Sequence, residues 1–166
     1  MLPLELISKC HQIIQENKVL TIVPDVLKKR LELLTAVKTS ATPHKVYGDF
    51  SIYLLSLVGQ LEKAKDLIQA LNDAEGVQVV GNKQVTAVEA NQIKTERLTL
   101  IGDIIKKLEG FAVQARAKSQ NEEKESVVVP DVKSPRAAVS QFQSPKAVVQ
   151  QQGQPTVATN RFTFQN

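Results

Sequence analysis

The apolar positions along the chain recur at helical spacing. The clearest run lies in HKVYGDFSIYLLSLVGQLEKAKDLIQALNDA, residues 44–74. There Tyr47, Phe50, Leu54, Leu57, Leu61, Ala64, Ile68 and Leu71 follow in alternating steps of three and four. This unbroken heptad seam is the pattern of a helix laid along another helix. Ile52, Tyr53, Leu55 and Val58 lie off the seam and widen the apolar face between residues 46 and 58. The first half of this helix should therefore be packed on several sides and the second half on fewer. Thr42 and Pro43 supply an N-cap and a first helical residue, while Asn72, Asp73 and Gly76 mark the end.

The remaining segments are arranged around that spine. In residues 3–17, Leu6, Ile7, Cys10, Ile13 and Ile14 share one helical face, which makes Cys10 a small core residue and puts His11 on the surface. Residues 19–25, VLTIVPD, are expected to be an extended connector, because proline disfavours helix before it. A second helix should start at Pro24 and Asp25, with Leu27, Leu31 and Leu34 as its stripe and Val26, Leu33 and Val37 widening it. Residues 76–84 are read as a connection that tucks Val77, Val79 and Val80 onto the bundle end. A fourth helix should run from Val85 to Lys118, or on to Glu125, along a seam of Leu98, Ile101, Ile105, Leu108, Ala112 and Ala115. The short connection makes the two long helices antiparallel neighbours.

The expected fold is all-α: an antiparallel helical bundle over residues 1–118, in which two short helices pack on a long helical hairpin. The prolines at 130, 135, 145 and 155 and the many glutamines make residues 119–166 a flexible, disordered C-terminal tail. If the short helices cover only the crowded end of the hairpin, its other end is left open. Ala64, Leu67, Ile68 and Leu71 with Val85, Val88 and Ile93 would then form an apolar patch for a partner or a second copy.

Composition narrows the class. Aromatic residues make up 4% of the 166 and tryptophan is absent, which favours aliphatic helix packing over a β-sandwich. The single cysteine excludes an internal disulfide and fits a reducing, cytoplasmic setting. Apolar runs fall short of a membrane span, and MLPLELISKC does not read as a signal peptide. The net charge is +4, and residues 126–166 carry Asp131, Lys133, Arg136, Lys146 and Arg161, a balance of +3. The first 125 residues are therefore near neutral.

Little in the chain reads as catalytic. Two histidines in separate segments, one buried-face cysteine and scattered glycines supply neither a nucleophile with its base, nor a phosphate loop, nor a metal-ligand cluster. No enzyme activity, metal or cofactor is expected. The expected function is that of a non-enzymatic interaction protein, whose bundle self-associates or joins a larger assembly and whose tail docks a protein partner. The docking residues are Arg161, Phe162 and Phe164, aromatics that alternate as an added β-strand requires. One alternative is a weakly basic nucleic-acid-associated protein using Lys28, Lys29, Arg30, Lys133, Arg136 and Lys146 as anion contacts. The other is a viral or phage assembly factor. An imperfect repeat, SPRAAVSQ at 134–141 and SPKAVVQQ at 144–151, makes Ser134 and Ser144 candidate phosphorylation sites.

Overall fold

Six elements follow one another in the computed structural model: α1 (Pro3–Glu16), α2 (Val19–Thr39), α3 (Pro43–Gln69), β1 (Val77–Val80), β2 (Lys83–Thr86) and α4 (Ala87–Lys133). The structure describes the backbone as far as Lys133 and the side chains as far as Lys124. Met1–Asn121 form one compact unit and a second begins at Glu122. The hydrophobic core belongs to the first.

The two long helices form the antiparallel hairpin that the heptad seam implies. At one end the Ser119 hydroxyl donates to the His44 carbonyl at 2.7 Å, and the buried Ser51 hydroxyl donates to the Ala112 carbonyl at 3.3 Å. At the other end the Lys94 ammonium donates to the Leu71 carbonyl at 2.7 Å. Asn91 takes both polar groups of Ala74, accepting from its N–H at 2.8 Å and donating to its carbonyl at 3.2 Å. Residue numbers rise along one helix as they fall along the other. Gly48 lies where α3 and α4 come close: a Cβ there would stand 3.4 Å from the Ser119 hydroxyl. Most of both seams is buried, with Leu54, Leu61, Ala64, Ile68, Ile101 and Leu108 fully so, while Leu57, Leu71 and Leu98 are half-buried.

The first two helices differ from expectation. VLTIVPD is not a connector: α2 begins at Val19 and carries Pro24 inside it. Proline removes one ladder bond, the one that would reach the Leu20 carbonyl, at a cost of about 3 kcal/mol. That carbonyl belongs to an exposed residue, while Val19, Ile22 and Val26 on the other face are buried and hold the turn in place. The break between α1 and α2 falls instead at Asn17 and Lys18, where Lys18 takes left-handed backbone with φ 52°. The Asn17 amide folds back onto the Ile13 carbonyl at 2.9 Å, and the Gln60 amide of α3 donates to the Asn17 carbonyl at 2.7 Å.

These contacts set α1 and α2 one after the other along α3, both running against it. Asn17 meets Gln60, the Met1 carbonyl accepts from the Glu75 N–H at 3.0 Å, and the Leu4 N–H donates to the Gln78 side chain at 3.0 Å. So α1 covers the end of the hairpin that the sequence left open, and α2 covers the crowded end.

The connection 76–84 is a correction as well. It is a two-stranded antiparallel hairpin in which Val77 faces Thr86 and Val80 faces Lys83 across the Gly81–Asn82 turn. Gly81, at φ 62°, occupies the first turn position, where a two-residue hairpin loop of the II′ kind favours glycine. Val77, Val79 and Val80 are exposed rather than tucked onto the bundle. The Thr86 hydroxyl then caps α4 by accepting the Glu89 N–H at 3.2 Å.

Helix ends shift too. α3 stops at Gln69 rather than near Ala74, and Thr42, though at its N-cap, makes no side-chain cap bond. α4 continues past Lys118 to Lys133 with Pro130 in its last turn, which removes the one ladder bond that would reach the Ser126 carbonyl.

Candidate interaction surface

The second helix has two apolar faces, and the bundle uses one. Val19, Ile22, Val26 and Leu33 point into the core. At about 100° per residue, Leu20, Leu27, Leu31 and Leu34 form a separate row about 120° away. That row is in solvent, at 63%, 46%, 69% and 52% exposure. The expected core stripe of Leu27, Leu31 and Leu34 is thus the outer face. Val26 and Leu33, read as its margin, are the packed residues.

The row is bordered on one side by α4. Near its start an open recess of about 340 Å³ is lined by Leu20 and Val23 from α2 and Leu100 and Ile104 from α4, with Asp103 and Lys107 beside them. Near its end a smaller recess of about 70 Å³ is lined by Leu33 and Leu34, Tyr47 and Phe50, and Phe111 and Ala115. Arg30, which lines this smaller recess, stacks its guanidinium 4.3 Å from the centre of the Phe111 ring.

The basic run Lys28, Lys29 and Arg30 is therefore split by the fold. Lys29 reaches over Tyr53 of α3 at 5.7 Å from the ring centre, and Arg30 lies over Phe111 of α4. Their stems help clamp α2 into the groove between the long helices. Lys118 sits over Tyr47 at 5.7 Å, so a third cation on a ring stands at the same end. On the α3 side, burial pushes the Tyr53 phenol above its ordinary range, and the nearby carboxylates of Asp25 and Glu32 add to the shift. The acids of α2 thus gather toward α3, away from the leucine row.

The distal patch does not assemble as expected. Ala64 and Ile68 are core residues at 0% exposure, and Leu71, Val85 and Ile93 are half-buried. Leu67 and Val88 alone are open, at 44% and 75%. The reason is α1, which lies over this part of α3. A smaller exposed group, Ile52 and Leu55 of α3 with Val113 of α4, lies beside the Ser51–Ala112 bond.

Cys10 is fully buried, and burial pushes its thiol above the ordinary value of 9.0 while Lys94 and Arg97 pull it partly back. His11 is exposed. Among the described residues, no three His, Cys, Asp or Glu side chains converge as a metal site, and no helix is long and apolar enough to cross a membrane. Lys133 is the last residue of α4. Ser134, Arg136, Ser144, Lys146, Arg161, Phe162 and Phe164 lie outside the described residues.

Sequence reasoning misses the leucine row because hydrophobicity alone assigns Leu27, Leu31 and Leu34 to the core. A signal is present: α2 carries two apolar rows, and one helix in a three-way packing can bury only one. Two further local signals bear on the β-hairpin, the Gly81–Asn82 pair between valine-rich runs and the Thr86-x-x-Glu89 capping pattern. No family model, curated protein or solved structure matches the chain.

Proposed function

We propose that this protein is a non-enzymatic interaction scaffold, in which the helical bundle presents the outer face of α2 to a protein partner and the C-terminal segment docks a second one. The observation that carries this reading is the row of Leu20, Leu27, Leu31 and Leu34 in solvent on a helix whose opposite face is buried. Four leucines in one row are a larger apolar surface than scattered exposed residues produce, and such surfaces mark protein contacts. The docking role of Arg161, Phe162 and Phe164 rests on their alternation in the sequence.

The test is photo-crosslinking of the full chain under reducing conditions in the cells that make it. A photoreactive residue replacing Leu31 is expected to capture a defined protein, and one replacing the exposed Thr95 is not. Leu27→Glu with Leu31→Glu should abolish the partner's recovery without changing helicity. Deleting residues 160–166 should remove a different partner and leave the first. Equal capture from both positions, unaffected by the leucine substitutions, would sink the reading. A capture that is lost on nuclease treatment would favour the nucleic-acid alternative.

A further inference from the structure

The surplus of charge around the leucine row is one-sided. Lys28 flanks it on α2, Lys38 continues it one turn beyond Leu34, and Arg30, Lys107 and Lys118 stand along its α4 border. In the two recesses Arg30, Lys107 and Lys118 stand against Asp103, whereas Lys28 has Asp25 and Glu32 one turn to either side on its own helix, so the surplus lies on the α4 border. The acids of α2, Asp25 and Glu32, lie on the side of Tyr53. From Leu20 to Leu34 the row spans fourteen residues, about 21 Å, which is close to four helical turns. It ends in a recess at each extreme, the first between α2 and α4 and the second where α3 joins them.

We infer that this surface is the seat of an acidic amphipathic helix from another protein, laid along the groove between α2 and α4. The inference rests on the reading of this face as an interaction surface and adds the chemistry of what fills it. A row repeating at helical spacing, bounded by a parallel neighbouring helix, offers holes for apolar side chains set three and four apart. The cations of the α4 border select carboxylates on the flank of that helix that faces it.

The same charges disfavour the two occupants nearest to hand. A second copy would set the cations against themselves. The chain's own residues 126–166 carry +3, the same sign as the surface.

The experiment is a fluorescence-anisotropy titration of the full chain with two labelled model helices of about 24 residues. Both carry the same leucine row; one is flanked by glutamates and the other by lysines. At about 0.1 M salt the glutamate peptide should bind at least about tenfold more tightly than the lysine peptide. Leu27→Ala with Leu31→Ala should weaken it by about tenfold or more with an unchanged melting curve. Lys107→Glu with Lys118→Glu should erase the preference. Equal or tighter binding of the lysine peptide, or no binding of the glutamate peptide, overturns the inference. So does a dimer in sedimentation that the leucine substitutions dissociate, which would assign the face to a second copy. If the crosslink at Leu31 persists while the peptide preference fails, the surface stands and the acidic partner falls. If both fail, the interaction reading falls with it.

Discussion

The Gln60 side-chain amide of α3 donates to the Asn17 carbonyl at 2.7 Å, across the only break in the first helical run. Asn17 and Lys18 interrupt what would otherwise be one helix from Pro3 to Thr39, and Gln60 holds that interruption against the middle of the hairpin. The pairing keeps α1 over the distal seam and α2 over the proximal one. Replacing Gln60 with leucine leaves the Asn17 carbonyl part-buried without its donor. Urea unfolding of Gln60→Leu should show a loss of about 1–2 kcal/mol, and Gln60→Glu a larger one, because a carboxylate brings an acceptor against an acceptor.

The two apolar faces of α2 and the hairpin core predict a sharp contrast between leucines. Leu61 is fully buried and Leu31 is 69% exposed. Leu61→Ala should cost about 2–5 kcal/mol through lost transfer energy and the cavity left behind. Leu31→Ala should change stability by less than about 0.5 kcal/mol. Chemical denaturation of the two variants side by side checks this, and similar losses would mean that Leu31 is covered in the free protein.

Asn91 acts as a piece of backbone for the chain that leaves α3. It satisfies the Ala74 N–H and carbonyl together, where Ala74 itself is buried. Asn91→Asp keeps the acceptor and loses the donor, and Asn91→Leu loses both. Losses of about 1–3 kcal/mol are expected for each. Amide hydrogen exchange should speed up first at Ala74 and at the adjoining hairpin.

Cys10 predicts a pH dependence with a definite sign. Its folded thiol titrates above its ordinary value of 9.0, so the native state holds the proton more firmly than the unfolded chain. Its contribution to stability is whole below that value and is lost as the pH rises past it. Unfolding midpoints of the wild type and Cys10→Val should therefore keep a constant separation from neutral pH to about 8, and above about 9 the wild type should fall faster than the variant. A thiol reagent should react slowly with the native protein at neutral pH and rapidly once it is unfolded.

The sequence by itself determined the helical class, the seams of α3 and α4, their antiparallel hairpin and the buried place of Cys10. Each follows from periodicity, because an unbroken apolar seam along the whole of a helix leaves water only by packing against another such seam. Tertiary structure alone decided which of α2's two apolar rows is inside. Val26 and Leu33 win over Leu27 and Leu31, since the rows are nearly equal in hydrophobicity and the choice depends on how α2 rolls in the groove between α3 and α4. Lys29 and Arg30, seated on Tyr53 and Phe111, mark that roll. Tertiary structure also moved the break from Pro24 to Lys18, because burial of Val19, Ile22 and Val26 outweighs one missing hydrogen bond. In doing so it laid α1 over Ala64 and Ile68. The open apolar face therefore lies on α2, not at the far end of the hairpin.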